Sequence, residues 1–219
     1  MSVLLLVRHG QASFGSADYD RLSTTGHEQG RVLGAALAAR GVRPDLVVRG
    51  SLRRHRQTAD TSVAAAGWEA EVVEDAGWDE FDHLSTVDAP VAFEALPEEG
   101  YDDQVRRFEA TMERWASGRH DAEYAESFQA FRARVEDALA RTLERVGDQG
   151  TAVVFTSGGP VAWVSATLTE GGVPAWARMS RVVVNSSVTK VLSGRRGTNL
   201  ITFNEHAHLE GAPELLTYR

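Results

Sequence analysis

The sequence contains no cysteine. Disulfides, thiolate catalysis and cysteine-ligated metal are therefore excluded. It has no excess of basic residues either: the formal charge is -8, which argues against a nucleic-acid or anionic-membrane surface. A small anionic ligand would need a local basic pocket. No apolar run approaches membrane-spanning length. The first apolar run is too short for a signal peptide and has no basic region ahead of it, so a soluble cytoplasmic protein is expected. Internal repeats and long linkers are lacking. His206 and His208 stand two apart, but no acidic or histidine partners at ligand spacing accompany them, so neither a metal nor a cofactor is expected.

What is present suits one α/β domain. The chain has 219 residues, 42% of them hydrophobic and 25% charged, which is enough to bury a substantial core. Residues 3–7, 45–49 and 152–156 are apolar runs of the kind found in strands buried on both faces. Residues 71–73, 181–184, 188–192 and 200–204 read as further strands. Thr25 and Glu28 form a candidate capping box, followed by a helical face of Val32, Leu33, Ala36 and Leu37 and a stop at Gly41. Residues 85 to about 147 carry no strand signal. There Val105, Phe108, Met112 and Trp115, and then Phe128, Phe131, Val135, Leu139, Thr142 and Val146, fall at helical spacing and read as core packing. The alternation of strands and helices supports an α/β class.

The polar chemistry gathers where the strands end. The first strand runs into Arg8-His9-Gly10, and in open α/β sheets ligands bind just beyond the carboxyl ends of strands. Arg8 offers a planar fork of donors for phosphate or carboxylate. His9 suits a nucleophile, a base or a metal ligand. Gly10 allows a sharp turn and close approach of a ligand. The second strand leads into Gly50-Ser51-Leu52-Arg53-Arg54-His55-Arg56-Gln57-Thr58-Ala59. The third leads into Asp79-Glu80-Phe81-Asp82-His83, a crowd of acids that begins with Glu74 and Asp75. The fourth leads into Ser157-Gly158-Gly159-Pro160. Pro160 suits the first turn of a helix, and a glycine pair between strand and helix offers backbone N–H groups to an anion.

These motifs, in this order, resemble the histidine phosphatase superfamily, which includes the phosphoglycerate mutases. The matching residues are Arg8-His9-Gly10, the Leu22-Ser23, Gly26 and Gln29 helix start, Leu52, Arg54, Gln57, Thr58 and Ala59, the Gly158-Gly159 pair, and Ala207-His208-Leu209. The resemblance implies a single domain over residues 1–219, built as a three-layer α/β/α sandwich with a mostly parallel sheet. It also implies a helical insertion at about 85–147 that caps the strand ends. His9 would be the nucleophile, Arg8 and Arg54 the phosphate-clamping arginines, and Ser157 and Gly158 further phosphate contacts. Glu80 falls where the family places its proton donor, with Asp79, Asp82 and His83 as open alternatives. Glu126 with Arg134, and His208, take structural roles. Three positions depart from the pattern: Gly50 where the family has serine, His55 where it has alanine, and Ser157 where it has a second histidine. Ser157→His is therefore expected to raise the rate, provided the ring fits.

The expected function is a cofactor-independent phosphomonoester hydrolase acting on a small phosphorylated substrate through a phosphohistidine at His9. Two alternatives stand beside it. One is a phosphoryl-binding protein with little turnover, because Ser157 removes an imidazole. The other is a mutase-type phosphotransferase, disfavoured because Gly15 stands where the mutases carry asparagine and because the insertion lacks a basic cluster. The oligomeric state is left open, a homodimer included.

Overall fold

The computed structural model describes residues 1–13, 20–81 and 100–218. Its centre is the first apolar run. Strand β1 (Ser2–Arg8) alternates its side chains between two faces, as the pleat requires. Leu4 and Leu6 enter one buried cluster, Leu5 and Val7 another. Such a strand belongs in the middle of a covered sheet. The other strands are β2 (Leu46–Arg49), β3 (Glu71–Glu74), β4 (Thr151–Thr156), β5 (Val188–Gly194) and β6 (Gly197–Glu205). They form one six-stranded sheet in the order β3-β2-β4-β1-β5-β6. β1 pairs in parallel with β4, from Val3 opposite Thr151 to Arg8 opposite Thr156, and antiparallel with β5. β2 lies parallel to both β3 and β4. Arg8 and Thr156 therefore finish side by side at the carboxyl ends of the two central strands.

Helices cover both faces. Helices α1 (Thr24–Ala39) and α2 (Arg53–Ala66) bury Leu33, Leu37 and Ala59 against the side of Leu5 and Val7. On the opposite side lie α3 (Tyr101–Ala116), α4 (Phe128–Val146), α5 (Gly158–Leu168) and α6 (Gly172–Ser180). They add Met112, Trp115, Phe128, Phe131, Trp163 and Trp176 to the cluster of Leu4 and Leu6. The result is a three-layer α/β/α sandwich. In α4 the buried Phe128, Phe131, Val135, Ala138 and Thr142 follow the three-and-four spacing of one helical face. Ser127 starts that helix by accepting from the Ala130 N–H at 3.1 Å. Thus α4, from within the stretch 85–147, lies in the layer that covers the sheet. Residues 82–99 lie outside the described residues, and Asp82 and His83 with them.

Two local expectations are corrected. The N-cap of α1 is Ser23, which accepts from the Gly26 N–H at 3.1 Å, while Glu28 pairs with Arg31 on the exposed face. Residues 181–184 are not a strand. Val183 and Val184 are fully buried, but side chains take up the backbone groups of this segment. Asn204 Oδ1 accepts from the Val184 N–H at 2.7 Å, Asn204 Nδ2 donates to the Val182 carbonyl at 2.7 Å, and Arg8 donates to the Val183 carbonyl. A buried segment whose backbone is satisfied this way needs no ladder. Among the described residues no helix is long and apolar enough to cross a membrane.

Candidate active site

The site begins one residue past β1. The His9 N–H donates to the Thr156 carbonyl at 2.8 Å, Asn185 Nδ2 donates to the His9 carbonyl at 3.1 Å, and the Gly10 N–H donates to Thr58 Oγ1 at 3.0 Å. The loop beyond is pressed against α1: a Cβ on Gly10 would sit 2.4 Å from the Gly26 carbonyl oxygen, and one on Gly26 would sit 2.2 Å from that of Gln11. No side chain fits at either position, which gives the two glycines a steric reason. His9 itself is 5% exposed. Its Nδ1 lies 2.7 Å from the Gly10 carbonyl oxygen. A carbonyl only accepts, so Nδ1 carries the proton and Nε2 keeps its lone pair. Arg54 Nε donates to that Nε2 at 3.2 Å. Burial, then the charges of Arg54, Arg8 and His55, push the His9 imidazolium pKa well below its ordinary value. The ring is thus neutral at physiological pH, with its nucleophilic nitrogen facing a guanidinium.

The two arginines approach from different elements. Arg54, in the first turn of α2, is buried and pairs through Nη1 with Asp20 Oδ1 at 2.7 Å. Asp20 also accepts from the Arg53 N–H at 2.7 Å, which anchors the start of α2. Arg8 donates through Nη1 to the Val183 carbonyl and, at 3.1 Å, to the Tyr218 carbonyl. A side chain on Gly158 would begin 3.7 Å from Arg8 Nε, so Arg8 and Gly158 share one corner. Behind them the Ser186 N–H donates to the Arg8 carbonyl at 3.0 Å, and Ser186 Oγ lies 3.2 Å from His208 Nε2.

The acids of the third strand end separate in space. Asp79 turns toward α2, where its Oδ1 accepts from the Ser51 N–H at 2.7 Å and lies 3.5 Å from His55 Nδ1. Burial pushes the Asp79 carboxyl up, but His55 and the Ser51 donors outweigh it and hold it below its ordinary range. Glu80 turns the other way, its Oε2 accepting from the Gly159 N–H at 3.0 Å. A Cβ on Gly159 would fall 2.1 Å from Glu80 Oε1, so that glycine makes room for the carboxylate. Arg134 fixes the backbone of this turn, donating to the carbonyls of Gly77, Asp79 and Glu80 at 3.1, 2.6 and 3.2 Å, and it is itself paired with Glu126.

Ser157 is fully buried at the start of α5. Its Oγ lies 2.7 Å from Nε2 of His55, which is also fully buried. A histidine at 157 would therefore stand against the His55 ring. Asp20 and His55 are the site residues that the sequence reading did not assign. His55 carried a signal all the same, as a departure from the pattern one residue after Arg54. Among the described residues no group of three or more histidines and acids could hold a metal ion.

Fold and site together describe a phosphoglycerate mutase-like α/β domain with a buried histidine–arginine cluster at its strand ends. The chain belongs to the histidine phosphatase superfamily, branch 1, whose family model matches residues 4–206. Solved structures with the same fold include phosphoserine phosphatase from Entamoeba histolytica, 18% identical with a TM-score of 0.69 over 95% of this chain and 100% of that one. A mycobacterial glucosyl-3-phosphoglycerate phosphatase is 23% identical with a TM-score of 0.65 over 93% and 99% of the two chains. Phosphoglycerate mutase from Bacillus anthracis is 14% identical with a TM-score of 0.69 over 95% of each. No curated protein matches the chain.

Proposed function

We propose that the protein is a cofactor-independent phosphomonoesterase acting on a small phosphorylated substrate through a phosphohistidine at His9. The observation that carries this reading is the state of His9: a buried, neutral ring with Nδ1 held by a carbonyl and an unprotonated Nε2 that accepts from Arg54. In the scheme, Nε2 attacks phosphorus in line and the ester P–O bond breaks. The leaving alkoxide takes a proton from Glu80. Glu80, now a carboxylate, draws a proton from water, the resulting hydroxide attacks phosphorus, and the P–N bond breaks to release inorganic phosphate and neutral His9. Arg54 and Arg8 hold the phosphoryl oxygens against the charge that develops on them, with Ser157 and Gly158 at the same corner. Entry of the phosphoryl group would compete with Asp20 for Arg54. Phosphatases that act on phosphoserine and on glucosyl-3-phosphoglycerate share the fold, which supports a small phosphomonoester as substrate.

The binding-protein reading draws on one observation, the serine at 157, and predicts oxyanion binding without turnover. One experiment separates the two. Acid-labile phosphate should appear on His9 during turnover of a phosphomonoester panel. His9→Ala should lower kcat/KM by at least roughly a thousandfold, as loss of a covalent nucleophile does. Undiminished hydrolysis by His9→Ala would overturn the mechanism, and vanadate binding without any hydrolysis in the wild type would favour the binder.

A further inference from the structure

The proposed mechanism makes no use of His55, yet the protein has built a slot for its ring. The ring is fully buried, with its centroid 5.7 Å from that of His9. Nε2 lies 2.7 Å from Ser157 Oγ, and Nδ1 lies 3.5 Å from Asp79 Oδ1, a distance at which the contact is electrostatic rather than a strong hydrogen bond. Asp79 is in turn held by the Ser51 N–H, and its backbone by Arg134. Gly50 leaves the slot open: a Cβ there would fall 2.2 Å from His55 Nδ1 and 2.5 Å from Asp79 Oδ1. Of the three positions that depart from the family pattern, His55 thus meets the other two: its Nε2 lies against Ser157 Oγ, and its ring fills the space that any side chain at Gly50 would take. If this were core packing alone, an aliphatic side chain would serve without the cost of burying a polar ring. The line from Asp79 through His55 ends instead on a hydroxyl at the corner where the phosphoryl group is placed.

We propose that His55 is the second imidazole of the site and acts through Ser157, taking up a proton when a phosphoryl dianion enters. This rests on the proposed phosphoryl pocket. In the empty pocket Ser157 O–H donates to the bare Nε2 of His55. When His55 gains a proton from solvent, Nε2–H donates to Ser157 Oγ. The serine proton is then free to turn to a phosphoryl oxygen, and Asp79 balances the imidazolium. His55 is a positioning residue in this scheme, because only Ser157 touches the ligand. The charged and titratable groups that face it are His9 at the end of β1, Arg54 on its own helix, and Asp79 and Glu80 on the turn after β3. Burial first, and then Arg54, hold the empty-pocket pKa of His55 below its ordinary value against the opposing pull of Asp79 and Glu80. A bound dianion adds negative charge and reverses that balance.

The test is calorimetric binding of tungstate, a tetrahedral dianion that does not itself titrate near neutral pH, to the full chain in two buffers of different ionisation enthalpy. It is run in the His9→Ala background, so that among the described residues His55 is the imidazole left beside the anion, and the outcome is independent of whether His9 forms a phosphohistidine. We expect uptake of about one proton per tungstate, and affinity that falls as pH rises. His9→Ala/His55→Asn should take up essentially none and bind roughly tenfold more weakly, the range expected for a lost charge-assisted hydrogen bond. Should a melt show that this variant is unfolded, His9→Ala/Ser157→Ala decides in the same terms, because it keeps the ring and breaks the relay. Proton uptake that survives the second substitution would overturn the proposal, as would His9→Ala binding tungstate without proton uptake or not binding it at all.

Discussion

The helical layers on the two faces of the sheet are packed by different means. Both bury apolar side chains against the strands, but between α1 and α2 the backbones come close. A Cβ on Gly34 would fall 2.2 Å from the Ser62 carbonyl oxygen, and Ser62 Oγ donates to the Gly30 carbonyl at 2.9 Å. On the other face the space is filled by rings: Phe81 packs on Trp115 with centroids 4.8 Å apart, Phe128 meets Trp163 edge-on at 5.3 Å, and Trp176 touches Phe128 at 5.1 Å. Backbone contact has one geometry, whereas ring volume can be rearranged among neighbours. The pocket draws on both. Arg54, His55 and Thr58 come from α2, on the close-packed side. Glu80 and Gly159 belong to the aromatic side, where Phe81 enters the cluster and Trp176 Nε1 donates to the Gly159 carbonyl at 3.1 Å.

The comparison can be broken first on the aromatic face. Phe131→Ala, at a fully buried ring, should cost about 4 kcal/mol in chemical denaturation, the usual cost of emptying a phenylalanine site. Phe131→Leu should recover most of it, and equal losses would show that ring volume is not replaceable there. On the other face Gly34→Ala adds one carbon against the Ser62 carbonyl and should cost about 3 kcal/mol, the upper end of ordinary overpacking. It should also weaken vanadate binding, because α2 carries Arg54. A stable Gly34→Ala variant with normal binding would deny the close-packed face its special role.

Catalysis sharpens the contrast. Glu80→Gln keeps an acceptor for the Gly159 N–H, so the turn should hold its shape. Hydrolysis of alkyl phosphates should fall roughly a hundredfold, and that of nitrophenyl phosphate only a few-fold, because nitrophenolate leaves without a proton. Equal losses on both would remove Glu80 as the acid.

The smallest effect is acid sensitivity, which concentrates away from the aromatic cluster. His9, His55 and His208 all have pKa values pushed down by burial, His208 to about 4. Below about pH 6.5 the unfolded chain binds protons that the folded chain refuses, so stability is complete above that pH and falls as the solution is acidified. For His208 alone the loss at pH 5 is about 2 kcal/mol, and His208→Asn should flatten that part of the melting-temperature profile between pH 7 and pH 5. An unchanged profile would remove His208 from the account.

Strands β1, β2 and β4 were legible because their apolar runs are buried on both faces and need no partner to be recognised. The segment 181–184 misled for the same reason: it is as apolar and as buried, but Asn204 and Arg8 satisfy its backbone, and nothing local announces that. The acids after β3 could not be sorted from sequence, because their separation depends on what each meets. Asp79 meets the start of α2 and Glu80 the start of α5, more than seventy residues apart along the chain for the latter pair. Asp20 gave no signal at all, being one polar residue in a loop. The partner of His55 lies 102 residues away, so its departure from the pattern was visible and its purpose was not.

The grip on Arg8 has a consequence for how the molecule comes into being. The carbonyls that aim its guanidinium belong to Val183 and Tyr218, 175 and 210 residues downstream. Synthesis runs from the amino toward the carboxyl end, so Arg8 precedes both carbonyls by these separations, and β1 precedes first β4 and then β5, its partners on either side. Contacts of such long separation close slowly. Arg8 is thus made early and held late, its guanidinium fixed only once the chain through Tyr218 has been delivered.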